Sequence, residues 1–386
     1  MPSFDEIINK RKKDWDCSDM MDAAASAQRP RLPFSSPQLN YSTYGGIPRN
    51  MITEFYGNPG GGKSTSAVDI CKNTVAIFQR EFDEKINKLR DKAAAGDKSA
   101  LVSIEELDEL GPKKVLYIDL EHSFDAKWAH TIGLDNSEIA VMQPPNVSGE
   151  SILQTVLELV ESGEVGFIVL DSIPSLVTQQ ELDKKLGEKT VASVAGLLTT
   201  FFRKIVPLLP RYDSTLLLIN QTRANMDNPY VDQTPGGEAL KFYCALRMKF
   251  KIGTPVDFLG NDLPASAENP AGYKVTAKII KQKSAPNDRR NSEYYLMAQS
   301  GIRLDIDFCQ LAMKKYGIIK KGGAWMTLLD PKTREPLIDA EGKPVKLNGF
   351  AKVLEYVQQN TEYFEALKQA IMDDIEANGI SEVSSV

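Results

Sequence analysis

Histidine and cysteine are scarce in this chain, and their scarcity argues against several chemistries at once. The 386 residues include two histidines, His122 and His130, and four cysteines, Cys17, Cys71, Cys244 and Cys309. Two histidines leave little for a zinc site or a histidine-based catalytic triad. The cysteines lie far apart, with neither zinc-ligand spacing nor the pattern of a disulfide framework. No apolar run approaches the roughly 20 residues of a membrane-spanning helix. The Met-Pro-Ser-Phe-Asp-Glu start lacks the apolar region of a signal peptide, so a reducing cytoplasm is the expected setting. Internal repeats and low-complexity tracts are also missing. Nor is there an excess of positive charge: 46 Lys and Arg face 52 Asp and Glu, a net of −6, so the chain as a whole carries no nucleic-acid signature. The remainder, 42% hydrophobic and 25% charged, is that of an ordinary globular protein long enough for two or three domains.

The distribution of charge says more than its sum. Residues 241–290 hold ten basic and four acidic side chains, a local net of +6, and residues 351–386 hold two basic and seven acidic ones, a net of −5. A basic segment in an acidic protein suits an anion, and an acidic tail can screen it; two solvated faces would give the same numbers.

The most informative stretch is Gly57-Asn58-Pro59-Gly60-Gly61-Gly62-Lys63-Ser64-Thr65, which matches the phosphate-binding pattern G-x-x-x-x-G-K-[ST]. Met51–Tyr56 before it is rich in β-formers, and Thr65–Phe78 after it has helical spacing, so the loop joins a strand to a helix. Glycines let backbone N–H groups converge on phosphate oxygens, and the helix N-terminus adds partial positive charge. Lys63 can neutralise the β- and γ-phosphates of ATP, and Ser64 can offer its hydroxyl to Mg²⁺.

Strands and helices then alternate: strands at Val115–Leu120, Val165–Leu170 and Leu216–Asn220, and helices at Ser151–Val160 and Val191–Leu209. Val165–Leu170 is almost continuously apolar, as in a parallel strand buried on both faces. The pattern predicts an α/β fold with a mostly parallel central sheet. Residues 79–112, with nine acids against six bases, read as an exposed helical insertion broken at Ala93–Gly96. Residues 4–27 read as a helical arm, and Pro30–Pro37 as a linker. After Lys241 longer strands are expected at Phe242–Ile252, Gly272–Gln282 and Glu293–Ala298, followed by helices framing a hairpin-like stretch at Ala324–Pro344. The expected division is an N-terminal arm and linker at 1–37, a nucleotide-binding α/β core at 38–304, and a small C-terminal α+β domain with an acidic tail at 305–386.

Polar residues end three of the predicted core strands, where open α/β sheets bind ligands. Asp171 can hold Mg²⁺ through water. Glu121 can orient or deprotonate the water that attacks the γ-phosphate, although periodicity alone favours a strand-end cap or surface pair for Asp119 and Glu121. Gln221 can touch the γ-phosphate and report it to the polar loop that follows, Thr222–Gly237, which is longer than a mere connection needs.

In order and spacing, residues 38–320 resemble the RecA family of recombinases. The resemblance rests on the phosphate loop, Ile118-Asp119-Leu120-Glu121-His122-Ser123-Phe124-Asp125, Val169-Leu170-Asp171-Ser172, Ile219-Asn220-Gln221, Thr234-Pro235-Gly236-Gly237-Glu238-Ala239-Leu240-Lys241-Phe242-Tyr243 and Lys278-Ile279-Ile280-Lys281-Gln282-Lys283. The acidic composition and the charged insertion are more similar to a bacteriophage recombinase of the UvsX kind.

The resemblance implies an ATP- and Mg²⁺-dependent ATPase that assembles with itself on single-stranded DNA, pairs it with double-stranded DNA and exchanges strands, with a mediator and a single-strand binding protein as further candidate partners. It implies oligomerisation for 1–37 and ATPase activity for 38–304. It implies Glu121 as the catalytic glutamate, Asp125 and Trp128 as adenine contacts, and Gln221 as the γ-phosphate sensor. Lys281 and Lys283 would reach a neighbouring subunit's ATP, and Lys241 and Phe242 would lie at the subunit interface. DNA-binding loops would fall within 174–196, carrying Lys184, Lys185 and Lys189, and within 222–236, with Arg223, Asn225 and Tyr230 as contacts. The first loop lacks the family's run of small residues, and Gly301–Asp305 lacks the aromatic that often covers the adenine. The alternative is a hexameric helicase or regulatory ATPase with the same core, in which Arg289 or Arg290 would serve a neighbour's ATP as an arginine finger.

Overall fold

The computed structural model describes residues 3, 6–7, 9–11, 30–185, 188, 194–223 and 233–379. Of the expected N-terminal arm, residues 6–7 and 9–11 are described, as helix, and the rest lies outside the described residues.

The stretch Pro30–Pro37 is not a solvated linker. Arg31–Leu32 (β1) pairs antiparallel with Ile47–Pro48 (β2). Leu32 and Phe34 are buried, and Phe34 stacks on Phe55 with ring centroids 5.9 Å apart. Two large apolar side chains between prolines are too short a signal for periodicity to register. Helix α1 (Pro37–Thr43) follows.

Among the described residues, nine strands form one sheet. They are β3 (Ile52–Gly57), β4 (Lys114–Asp119), β5 (Ala140–Met142), β6 (Val165–Asp171), β7 (Thr215–Gln221), β8 (Leu246–Val256), β9 (Gly272–Gln282), β10 (Asn291–Met297) and β11 (Gly301–Ile302), in the order β11-β10-β9-β8-β3-β7-β6-β4-β5. The six strands from β8 to β5 are mutually parallel, and β9 to β11 extend the sheet antiparallel. Every residue of β6 is buried, which explains its unbroken apolar run.

Helices cover both faces. On one face lies α2 (Lys63–Ala94), whose buried residues Ala67, Ile70, Cys71, Thr74 and Phe78 recur at helical spacing. Beyond Phe78 only Ile86 is buried in α2, so its second half projects, and α3 (Ser99–Leu110) returns along it. Next in sequence come α4 (Ala126–Thr131), α5 (Gly149–Glu161), α6 (Gln179–Leu182) and α7 (Val194–Arg211). Helices α5 and α7 cover the opposite face through Leu153, Val156, Val160, Leu198, Phe202 and Ile205.

Residues 242 and 243, expected to open a strand, instead end α8 (Gly237–Tyr243), and the strand begins at Leu246. Alternating Phe, Tyr and Leu suit a strand, but Gly236 at φ 101° starts a helix there, and Leu240 is buried beneath it.

C-terminal to the sheet lie α9 (Leu304–Leu311), the antiparallel strands β12 (Ile319–Gly322), β13 (Trp325–Leu328) and β14 (Lys346–Asn348), and helices α10 (Phe350–Gln359) and α11 (Thr361–Gly379). The strands thus flank the expected hairpin stretch as well as occupy it. Their core, with Phe308, Leu328, Val353, Leu367 and Ile371, is continuous with Val256 and Tyr295 of the sheet.

Candidate functional site

The parallel register brings four strand ends together, three of them polar. Gly57 pairs with Gln221 across β3 and β7, and Asp119 with Asp171 across β4 and β6. The carboxyl edge of a parallel sheet is where such folds bind ligands.

At the end of β3 the chain turns through Gly57 to Gly62 and enters α2 at Lys63. A Cβ on Gly57 would lie 2.1 Å from the Phe250 carbonyl oxygen, so only glycine fits against β8 there. Gly62, at φ 84°, caps α2 without a side chain, and the first turn carries no acid. The backbone N–H groups of that turn therefore face outward with the positive end of the helix dipole, a cradle for phosphate. Pro59 and Gly60 are exposed on this loop.

The Lys63 ammonium is buried and bonds to the Gly57 and Asn58 carbonyl oxygens at 3.1 and 2.8 Å. Burial pushes its pKa down, while Asp171 and Glu121 hold it up. The Ser64 hydroxyl donates to Asp171 Oδ2 at 2.8 Å, and the Tyr117 hydroxyl donates to the same oxygen at 2.5 Å. Burial raises the Asp171 carboxyl above its ordinary range despite these donors. A glycine loop opening a helix, a lysine, and a hydroxyl–carboxylate pair form a donor set that fits a Mg²⁺-nucleotide.

Asp119 and Glu121 separate into different roles. Asp119 is fully buried and caps its own strand end: Oδ2 accepts from the Phe124 N–H and from Gln143 Nε2, both at 2.8 Å, and Oδ1 accepts from the Glu121 N–H at 3.2 Å. Glu121 is exposed, and its Oε1 accepts from the Ser172 hydroxyl and from Gln221 Nε2, the latter at 2.9 Å. Three neighbouring strand ends thus converge on one carboxylate. Asp125 caps α4 by accepting from the Trp128 N–H at 2.9 Å, and the Trp128 indole N–H donates to Thr65 Oγ1 at 3.2 Å. Trp128 therefore lies directly beside the phosphate loop.

The loop after Gln221 is tied to the phosphate loop at its first residue. The Thr222 hydroxyl donates to Asn58 Oδ1, and the Thr222 N–H reaches the Gly57 carbonyl at 3.4 Å. Arg223 is exposed and bridges Gln233 across the stem. Behind the stem lies a buried network: Glu54 pairs with Arg247 and accepts from Asn220 Nδ2 at 2.9 Å, and Asn220 also donates to the Pro235 carbonyl at 2.9 Å. Arg247 packs over Tyr56 at 4.9 Å.

Lys281 and Lys283 point the same way. Lys281 Nζ donates to the Lys241 and Phe242 carbonyls at 2.5 and 2.8 Å, and Lys283 Nζ to the Phe242 carbonyl at 2.9 Å. Both ammonium groups lie near the Phe242 ring, which is 68% exposed. Burial, with Lys283 adding to it, lowers the Lys281 pKa to about 8. Arg289 is committed elsewhere: its guanidinium lies 4.2 and 4.3 Å from the Tyr41 and Tyr44 ring centres and donates to the Tyr41 carbonyl. Arg290 Nε donates to the Asn287 carbonyl at 3.0 Å.

Lys184 and Lys185 follow the short helix α6, Lys184 half-buried and Lys185 exposed. Lys189, Asn225 and Tyr230 lie outside the described residues. Sequence reasoning missed Tyr117, Ser172, the Asn58–Thr222 tie and the Glu54–Asn220–Arg247 network. The one signal for the last was a glutamate in a strand otherwise made of core residues.

Fold and site together define a P-loop nucleoside triphosphatase built on a mostly parallel α/β sheet. Residues 92–303 match the RecA N-terminal domain family. The chain is 31% identical over 304 residues to Protein RecA of Ruminococcus albus, a match covering 78% of this chain and 65% of that protein. It is 28% identical over 332 residues to Protein RecA of Thermus aquaticus, covering 85% and 80%. It is 33% identical over 296 residues to Protein RecA of Chlorobaculum tepidum, covering 76% and 72%. The chain belongs to the RecA family, and its type is that of the recombinases rather than of the hexameric helicases.

Proposed function

We propose that the protein is an ATP-dependent DNA recombinase that assembles as a filament on single-stranded DNA and promotes homologous pairing and strand exchange with a duplex. The observation that carries this reading is the bond between Gln221 and Glu121 at the root of the 222–236 loop, beside the phosphate loop. A side chain that bonds the candidate catalytic carboxylate also begins the candidate DNA loop, so the nucleotide's state and the loop's position are mechanically linked.

In this reading Lys63 and the first turn of α2 bind the phosphates, while Ser64 and Asp171 hold Mg²⁺, which when bound neutralises charge on the β- and γ-phosphates. Glu121, fixed by Ser172 and Gln221, orients and deprotonates the attacking water. Trp128 and Asp125 hold the adenine. Arg223, with Lys184, Lys185, Lys189, Asn225 and Tyr230 of the two loops, contacts DNA by phosphate pairing and base stacking. Lys281 and Lys283 meet the nucleotide of an adjacent subunit.

Self-assembly draws support from two exposed apolar features on the core: Phe242 beside the paired lysines, and Val141 and Met142 on the edge strand β5. Residues 1–37 would serve assembly, 38–304 catalysis and DNA binding, and 305–386 a C-terminal domain whose acidic tail competes with DNA. The projecting α2–α3 hairpin is the feature that favours a bacteriophage, UvsX-like member. The engagement of Arg289 with Tyr41 and Tyr44 weighs against an arginine finger.

Strand exchange between a circular single strand and a homologous linear duplex tests the reading. Joint molecules should form with ATP and fail without it, and Lys63→Ala should abolish both nucleotide retention and exchange. DNA-stimulated hydrolysis without joint molecules would support a regulatory ATPase instead.

A further inference from the structure

The mechanism above leaves one buried polar group at its centre unused. Tyr117 lies in β4, is 2% exposed, and has a ring packed edge-on to Phe124 with centroids 5.1 Å apart. Its hydroxyl reaches Asp171 Oδ2 at 2.5 Å, the oxygen that also accepts from Ser64. A phenylalanine would fill the same space in this core. The hydroxyl is therefore a polar group carried into an apolar strand, and it meets the Asp171 carboxylate and the Ser64 hydroxyl beside the phosphate loop.

We propose that Tyr117 is a positioning residue for Mg²⁺: its hydroxyl fixes the Asp171 carboxylate so that Oδ2 faces the Ser64 hydroxyl. The inference rests on the assignment of Ser64 and Asp171 to the metal, and it adds a residue from a strand that contributes nothing else to it. The geometry supports this in two ways. Asp171 ends its strand with Tyr117 and Ser64 converging on one oxygen, so two donors hold Oδ2 in place. The Tyr117 ring also backs Phe124, whose N–H is held by Asp119, so the strand that presents Glu121 supports the carboxylate of its neighbour. Groups that hold a ligating carboxylate in place commonly change metal affinity by about 10–100-fold when removed.

Tyr117→Phe isolates the hydroxyl, because the ring and its contact with Phe124 remain. The measurement is retention of a fluorescent ATP analogue by the full chain as Mg²⁺ is raised, with thermal unfolding in parallel. The half-saturating Mg²⁺ concentration should rise about tenfold or more, while retention without Mg²⁺, carried by Lys63 and the loop, stays the same. In an Asp171→Asn background, Tyr117→Phe should shift Mg²⁺ dependence much less than in the parent, because the carboxylate it positions has gone. A half-saturation within twofold of the parent overturns the proposal, whether or not the melting temperature falls. An equal shift in the Asp171→Asn background also overturns it, since Tyr117 would then act by another path. If Asp171→Asn alone leaves Mg²⁺ dependence unchanged, the metal assignment itself fails, an outcome distinct from either of these.

Discussion

Replacing Glu121 with glutamine should separate hydrolysis from binding. The amide retains an oxygen where Oε1 accepts from Ser172 and Gln221, so the three strand ends stay joined. The side chain is exposed, and a surface change of this kind shifts stability by about 0.5 kcal/mol or less. In the proposed reading nucleotide affinity rests on Lys63, Ser64 and the start of α2, none of which Glu121 touches directly in the hydrogen-bond network. What disappears is the negative charge and the proton acceptor. General-base catalysis contributes about 10²–10⁴ in rate, which at about 1.4 kcal/mol per decade is roughly 2.7–5.5 kcal/mol of barrier. Turnover in the presence of single-stranded DNA should therefore fall by about a hundredfold or more, with the dissociation constant for a fluorescent ATP analogue within about threefold of the parent. The assay pairs steady-state phosphate release with equilibrium nucleotide binding. Parallel loss of binding and turnover, or a rate loss below tenfold, would refute the role given to Glu121.

Other substitutions probe the links around the site. Glu54→Gln should cost about 3 kcal/mol or more in denaturant unfolding, because it leaves the buried Arg247 guanidinium without its anion; Glu54→Gln combined with Arg247→Met should cost less than the single change. Asn58→Ala removes the side-chain tie to Thr222 and should narrow the difference in single-stranded DNA affinity between nucleotide-bound and nucleotide-free protein by roughly fivefold, read by fluorescence anisotropy. Lys281 carries a pH dependence. Its pKa in the isolated subunit is lowered to about 8, so the protonated form burdens the fold below that pH, and the burden lifts as pH rises toward the ordinary lysine value. A neighbour's phosphate would restore the charge, so assembly should take up protons and weaken as pH rises through 8. Light scattering from pH 7 to 9 should show this, and Lys281→Arg, charged throughout, should flatten it.

The phosphate loop was legible because its chemistry is carried by consecutive residues whose steric demands are local. Asp171, Glu121 and Gln221 could be placed at strand ends because buried parallel strands announce themselves by unbroken apolar runs. Their mutual bonding could not be read, since it depends on which strands are neighbours: β6 lies between β4 and β7, an order that no periodicity encodes. Tyr117 reads as core because an aromatic in a buried strand usually is core, and its partner lies 54 residues away. Glu54 and Arg247 are 193 residues apart, and each alone looks like an exposed strand residue. The error at Phe242 has a different origin, because seven residues of helix give too few turns for a period of 3.6 to outweigh alternation.

Electron microscopy of the full chain with single-stranded DNA and a slowly hydrolysed ATP analogue bears most directly on the recombinase reading. A shared site, in which Lys281 and Lys283 of one subunit face the phosphate loop of the next, requires head-to-tail assembly, and the recombinase reading has that assembly wind along DNA as an open helix rather than close into a ring. The expected result is a helical filament along the DNA that is lost in the Lys281→Ala/Lys283→Ala variant. Closed rings, or filaments that persist unchanged in that variant, would contradict it.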